Sequence, residues 1–589
     1  MITATKRLCA QKRRGYMSRK RIKVDSVAEG FLELLEARGV EYFFGGGAGT
    51  DFPPFIEAFA KWKTQGRTKG IQPVTAIHEI TAVSMAHGYA MITGDPQVVM
   101  VHTIAGTANA LGGIINAARA RVPMLLAAGR TSITEKGHVT SRGQGIHWAQ
   151  ESFDQAGMLR EFVKWDYELR RGEQLETVVD RALAITRNEP SGPVYLTLPL
   201  DVSGEALPEV DFSAVTRLNP SSPTLPAREA LERAATVLAE ANDPLIITSS
   251  LGRDPKAVDA LVTLAERLAI PVVESWGTHL NFPQNHSLHQ GYDVNPLVNK
   301  ADVIVAIETD APWFPKHAEP RANTTVIQID NDPLYEAYPI RGFPTDIGLA
   351  GDPGRTLLAL EAEIAQKRLN EGEINERRSR WETAHHAQRE AWRVDVESVR
   401  EDSPLDYRWI SRCISEVLDE TDIAVTEISL DPTQTCFTRP GTFFNHPHSA
   451  VLGWGPGAAL GVKLACPDRT VVCAIGDGSH VFGVPTATHF MSRECALPIL
   501  YVIYNNNGWQ RSRQATFGHA PNGWATAVES VPLCEWEASP DYEKICEANG
   551  GYGELVDDAA KLPGALKRAL GVVRREKRQA LLNVIAKKG

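Results

Sequence analysis

The chain has 589 residues, enough for three or four domains at about 150 residues each. Hydrophobic residues at 43% and charged residues at 23% exclude a disordered or fibrous chain. With Lys+Arg 62 against Asp+Glu 72, the net charge of −10 excludes the basic footprint of a nucleic-acid-coating protein. No apolar run reaches the length of a membrane span, so neither a nucleic acid nor a membrane is expected as a partner. The eight Cys form no C-x-x-C pair, which points to a reducing, cytoplasmic setting rather than a disulfide framework.

In chain order, the first 24 residues carry nine Lys/Arg and no acid, and residues 1–22 read as a basic tail. Asp25 to Gly39 reads as a helix, with Asp25 as its cap and Gly39 as its stop. A short strand, Glu41–Phe44, runs into Gly45-Gly46-Gly47-Ala48-Gly49, and Phe59 to Gln72 reads as a loop. Apolar runs at Gln97–Thr103, Pro123–Ala128 and Pro193–Leu198 alternate with helical periods. A Pro/Ser-rich linker follows near Leu218–Pro226. The alternation resumes at Leu245–Ser249, Pro271–Glu274, Asp302–Ile307 and Thr325–Ile329. A charged stretch from about Gln366 to Asp402, read as a solvated helical connector, leads to a third set of strands, Ile423–Thr426, Thr470–Ile475 and Pro498–Tyr504. Short Val/Leu-rich strands alternating with helices imply parallel sheets buried on both faces. The expected fold is α/β, with three doubly wound parallel-sheet domains at 23–205, 225–368 and 402–589.

The most specific pattern is Gly476-Asp477-Gly478, then 26 residues, then Asn505-Asn506-Asn507-Gly508. Both elements end a strand, where open α/β sheets bind ligands. Glycines admit a diphosphate close to the backbone, and Asp and Asn offer the hard oxygens Mg²⁺ prefers beside phosphates. The pattern resembles the binding motif of the thiamine-diphosphate enzymes that decarboxylate or ligate 2-oxo acids. The resemblance spans roughly residues 23–589, as pyrimidine-binding, central and diphosphate-binding domains. It implies thiamine diphosphate and Mg²⁺ as cofactors, with metal on Asp477, Asn506 and the Gly508 carbonyl; Asn505 is the alternative to Asn506. Gly476, Gly478, Ser479 and Ser429 fall where the diphosphate would lie.

Ile77-His78-Glu79, ahead of a helical stretch, resembles the family's activating-glutamate segment. Glu79 would share a proton with the aminopyrimidine; read alone, it is a helix-capping acid. Val451-Leu452-Gly453 matches the segment that bends the cofactor, with Leu452 as prop and the Ala450 carbonyl as acceptor; read alone, Leu452 is a core leucine. Three stretches are most similar to benzoylformate decarboxylase. They place His102 and His317 beside the reacting carbon, as neutral imidazoles suited to proton transfer, and match Leu452 to that enzyme's own leucine.

Two departures concern how an acidic substrate is held. Gly49 stands where benzoylformate decarboxylase carries a Ser, and Arg130 stands where a Gln is usual; an Arg can grip a carboxylate in bidentate fashion. The implied function is non-oxidative decarboxylation of a 2-oxo acid. The alternative is an acetolactate-synthase-like carboligase, which would carry FAD in the central domain, although G-x-G-x-x-G is missing there. A cofactor-binding scaffold without turnover would need neither Glu79 nor Asp477. The resemblance further implies a homodimer or homotetramer with active sites at the subunit interface, acting on a small 2-oxo acid.

Overall fold

Runs such as Val98–Val101 and Val194–Leu198 are buried at every position, so both faces of their strands are covered and no polar alternation is needed. A computed structural model describes residues 18–528 and 530–588.

The strands, in chain order, are β1 (Arg19–Lys23), β2 (Tyr42–Gly46), β3 (Gln72–Ala76), β4 (Gln97–Val101), β5 (Met124–Arg130), β6 (Asp166–Glu168), β7 (Pro193–Pro199) and β8 (Glu209–Ser213). The central region adds β9 (Pro244–Thr248), β10 (Val272–Glu274), β11 (Val303–Ile307), β12 (Thr325–Asp330) and β13 (Ile347–Ala350). The last region adds β14 (Ile423–Glu427), β15 (Phe443–Asn445), β16 (Val471–Gly476), β17 (Leu500–Asn505), β18 (Tyr552–Val556) and β19 (Ala580–Ile585).

Three parallel sheets result, ordered β3-β2-β4-β5-β7-β6, β10-β9-β11-β12-β13 and β15-β14-β16-β17-β19-β18. Each begins the same way: the second strand goes to one side of the first and the third strand to the other. The order therefore reverses between β2 and β4, between β9 and β11, and between β14 and β16. Beyond the carboxyl ends of such pairs a doubly wound sheet leaves a crevice.

By contacts the chain divides into two compact units. The first runs to Ser221 and takes in Pro447–Pro467 and Gly483–Leu497; the second holds Ser222–His446, Asp468–Phe482 and the chain from Pro498 onward. In the first unit, helix Glu79–Thr93 crosses helix Trp454–Ala465 with backbones nearly touching. A Cβ on Gly88 would overlap the Ala458 carbonyl, and one on Gly461 would overlap that of Met85.

Several expectations are corrected. Residues 19–23 are not tail: β1 pairs antiparallel with β8, Arg19 is bonded to Asp211 at 2.8 Å, and Ile22 packs inward with Val210 and Phe212. The rest of that tail, residues 1–17, lies outside the described residues. The first helix, Val27–Ala37, is capped by Ser26, which accepts from Glu29 N at 3.2 Å, and not by Asp25. The expected loop at 59–72 is halved, because helix Pro53–Thr64 runs into it and β3 begins at Gln72, and Arg67 ties what remains to Glu33 and Glu36. The charged connector, by contrast, is helical as its composition implies, a 28-residue helix, Glu371–Ser398. Among the described residues no helix is long and apolar enough to cross a membrane.

Candidate active site

In the first sheet the reversal lies between Gly46 and Val101, and Glu79 sits against it. Gly47 turns at φ +61°, and a Cβ there would stand 3.0 Å from Glu79 Oε1; one on Gly106 would stand 3.3 Å away. Two glycines thus make room for one carboxylate, which is 8% exposed and accepts from Asn109 Nδ2 at 3.2 Å. The capping role falls to His78, whose Nδ1 accepts from Ile80 N, which frees Glu79 from that duty.

His102 follows β4 and precedes Thr103, which is forced to φ +41°. A β-branched residue there is a conformational outlier, and such strain collects at functional sites. The kink turns the imidazole onto Asp51, whose Oδ1 meets His102 Nδ1 in a close contact. The Asp51 bond raises the His102 pKa above its ordinary value; the charges of Asp51 and Glu79 add to it, and burial opposes. Gly49 has a local cause, since a Cβ there would overlap the imidazole, and a Cβ on Gly129 would overlap the Asp51 carboxylate. Asp51 was missed by the sequence reading; ahead of Pro53-Pro54 it passes for an ordinary helix-start acid.

Arg130 is not free to grip a substrate. It is bonded to Glu151 at 2.9 Å, to Glu168, and to the Ser152 carbonyl at 2.9 Å. Farther along the same unit, Ala450 turns at φ +53° and is exposed, and Leu452 is half-buried. Asn116 fixes this turn by donating to the Val451 carbonyl at 2.8 Å and accepting from Ser449 at 2.7 Å.

In the third sheet Asp477 closes β16 and is 1% exposed. Gly478 N reaches its Oδ1 at 2.8 Å, while Asn507 N and Gly508 N reach Oδ2 at 2.8 and 3.3 Å. Burial nevertheless pushes the carboxyl up to about 6. Asn505 is committed inside the chain, to Asn583 at 3.0 Å and Ser539 at 2.8 Å. Asn506 donates to Gln510 at 2.8 Å, which leaves its Oδ1 to offer. Gly478 is required by the chain itself, since a Cβ would meet the Trp509 ring at 2.5 Å; a Cβ on Gly508 would overlap the Cys534 carbonyl. Gly476 lies under Ser429, whose hydroxyl donates to the Glu427 carbonyl at 3.2 Å, and Ser479 is half-buried. A cleft of about 690 Å³ beside β17 and β19 is lined by Asn505, Asn506, Asn507, Ser539 and Asn583. Among the described residues no group of three His, Cys, Asp or Glu forms a metal cluster.

His317 is exposed in the loop after β11; its neighbour Trp313 is the buried residue of that segment. In the central sheet the reversal is bridged. Arg253 bonds Glu308 at 2.7 Å, Ser250 N donates to the Glu308 carbonyl at 3.1 Å, and Ser249 meets Thr309 at 2.8 Å.

Three family models match in order: the N-terminal thiamine pyrophosphate binding domain at residues 25–158, the central domain at 231–360 and the C-terminal binding domain at 429–584. The chain belongs to the thiamine pyrophosphate enzyme family. As a member it takes thiamine diphosphate, and its relatives include decarboxylases and carboligases. It is 26% identical over 572 residues to the acetolactate synthase isozyme 3 large subunit of Escherichia coli, covering 93% of each chain. It is also 26% identical over 567 residues to benzoylformate decarboxylase of Pseudomonas aeruginosa, covering 92% of this chain and 96% of that one. The structure of benzoylformate decarboxylase from Polynucleobacter necessarius shares the fold, with a TM-score of 0.76, 22% identity, and coverage of 96% and 99%.

Proposed function

We propose that this family member is a Mg²⁺-dependent enzyme that decarboxylates a 2-oxo acid without oxidation. The observation that carries the reading is the Asp51–His102 pair set beside Glu79 in one wall. Thiamine diphosphate, when bound, supplies the carbon that takes up the electrons of the breaking C–C bond. Glu79, with only one donor upon it, holds a proton for the pyrimidine ring nitrogen. The Ala450 carbonyl, on its exposed turn, would accept from the 4′-amino group, and Leu452 would support the cofactor. Asp477, Asn506 and the Gly508 carbonyl hold Mg²⁺ against the diphosphate, with Gly476, Gly478, Ser429 and Ser479 around it. Mg²⁺ prefers this mixture of one carboxylate, neutral oxygens and phosphate. His102, whose pKa Asp51 raises, would hold a proton for the carbon that loses CO₂. His317, on the central domain, is the second imidazole of this reading. The enzyme acts as a cytoplasmic homodimer or homotetramer, each site completed at a subunit interface.

The carboligase reading is favoured by the acetolactate synthase relative. For its FAD the central domain offers no G-x-G-x-x-G, and Arg253 bonds Glu308 and Ser249 bonds Thr309 across the central crevice. A panel of 2-oxo acids with added thiamine diphosphate and Mg²⁺, reading CO₂ and product together, separates the two. Aldehyde released in step with CO₂ supports the decarboxylase. CO₂ appearing only with a second carbonyl compound, and an acyloin as product, overturns it.

A further inference from the structure

Behind the His102 kink lies a chain of buried polar groups that the reaction itself does not use. Helix Thr103–Arg119 starts at the strained Thr103, and the Thr107 hydroxyl, one turn on, donates to the Thr103 carbonyl at 2.7 Å. Thr107 Oγ1 lies 2.8 Å from the Tyr195 hydroxyl on β7, and Gln155 Nε2 reaches that hydroxyl at 2.9 Å. The same Nε2 donates to the Gly129 carbonyl on β5, again at 2.9 Å. Thr107 and Tyr195 are fully buried, and Gln155 is 2% exposed.

Donor counting gives the chain one direction. The Gly129 and Thr103 carbonyls can only accept. Thr107 therefore spends its hydrogen on Thr103 and accepts from Tyr195. Tyr195 in turn accepts from Gln155, whose amide has one hydrogen for Tyr195 and one for Gly129. Every hydrogen has a place, and a buried network satisfied in this way is rigid and specifies one arrangement.

The two ends of the chain are the two supports of the Asp51–His102 pair. At one end Thr103 carries the φ of +41° that turns the imidazole onto Asp51. At the other, Gly129 is the floor beneath Asp51, since a Cβ there would overlap its carboxylate. Packing alone would need no polar atoms between these segments, because apolar groups of the same shape can replace a buried hydrogen-bonded pair at little cost.

We propose that Thr107, Tyr195 and Gln155 are positioning residues, whose hydrogen-bond chain locks the Thr103 kink to the Gly129 floor and so holds His102 on Asp51. That His102 serves the reaction rests on the proposed function; that the chain sets its contact with Asp51 does not.

The test uses the full chain, free of cofactor for a first readout and with thiamine diphosphate and Mg²⁺ for a second. The first is the titration of His102 by NMR in histidine-labelled protein, its signal assigned by its loss in His102→Gln. Asp51 and Glu79 are the charges that raise this group. Thr107→Val, which removes the hydroxyl at nearly constant shape, should lower the midpoint as Asp51→Asn does, and Thr107→Ser, which keeps the hydroxyl, should restore it. In the Asp51→Asn background Thr107→Val should move the midpoint no further, since the contact it serves is gone. The second readout is turnover of a 2-oxo acid, where Thr107→Val should lower kcat by about tenfold or more and leave KM nearly unchanged, as expected when a reacting group is misplaced. Tyr195→Phe breaks the chain at its middle and should give the same shifts in smaller measure; it decides the matter if Thr107→Val does not fold. A midpoint and a kcat that stay at the wild-type values while only Tm falls overturn the proposal, the chain then acting by packing alone. Full activity in His102→Gln overturns the proton-holding reading instead, and the NMR midpoints still decide the positioning.

Discussion

Glu79 and Asp477 are both buried carboxylates at the reversal of a parallel sheet, and the chain treats them in opposite ways. Glu79 receives one side-chain donor, at 3.2 Å, and its oxygens face glycines. Asp477 receives three backbone N–H groups and stays fixed at the head of its helix. A carboxylate has roughly four lone-pair sites, so Glu79 keeps most of its capacity and Asp477 has spent most of its own on position. The contrast separates two tasks. A group that must give and take a proton is left short of donors, while a group that must present a hard oxygen at one place is clamped by the backbone.

The sharpest way to break this contrast is Asp477→Ala. It removes the acceptor for three N–H groups, and calorimetry with thiamine diphosphate and Mg²⁺ should show no saturable binding while circular dichroism is unchanged. Undiminished affinity would remove Asp477 from the metal site. Glu79→Gln should act differently, keeping the cofactor but slowing hydrogen–deuterium exchange at its C2 by about 10²–10⁴-fold, the usual worth of a positioned acid–base group. Exchange at the wild-type rate would refute the proton-carrying role.

A smaller effect is expected at the neighbouring pair. Asp51 holds the His102 pKa up, so Asp51→Asn should let it fall and move the alkaline limb of the rate profile to lower pH. The sign for stability follows. A raised histidine pKa stabilises the fold below the unfolded value and ceases to do so as pH rises through the folded one. The variant's loss of stability in urea should therefore shrink from acid to alkaline solution; a constant loss would mean that Asp51 acts by packing alone. The smallest effect is expected at Gly49. Gly49→Ala forces a methyl onto the imidazole and should cost about 1–3 kcal/mol, read as a lowered Tm, whereas Gly145→Ala, which meets open space, should be near neutral.

The sequence was most legible where burial is two-sided. β4, β7, β9 and β16 stand out as mostly apolar runs, because nearly every position along them is buried. Edge strands such as β3 and β6 escape notice, because half-exposed stretches like Gln72-Pro73-Val74 carry no such run. The β1–β8 ribbon hides behind its own charges, which are paired across the strands and so look like a solvated tail. In the site, Glu79, His102 and Asp477 announce themselves through short motifs. Asp51 does not, since its meaning depends on Gly49, Gly129 and His102, which only the sheet brings together. Arg130 misled for a related reason: its partners Glu151 and Glu168 lie on later segments.

The crossing of helix Glu79–Thr93 over helix Trp454–Ala465 has a consequence for mutational drift. At Gly88 and Gly461 main chain lies against main chain, so no smaller side chain remains to be tried and no neighbour can retreat to absorb a larger one. Ordinary cores evolve by exchanging volume between adjacent side chains; this contact has none to exchange. A lineage can vary what surrounds the activating end of the first helix, but it cannot slide that helix along its partner by single substitutions. Saturation mutagenesis should find these two glycines intolerant under selection for folded protein alone, whereas Glu79 should become so only under selection for activity.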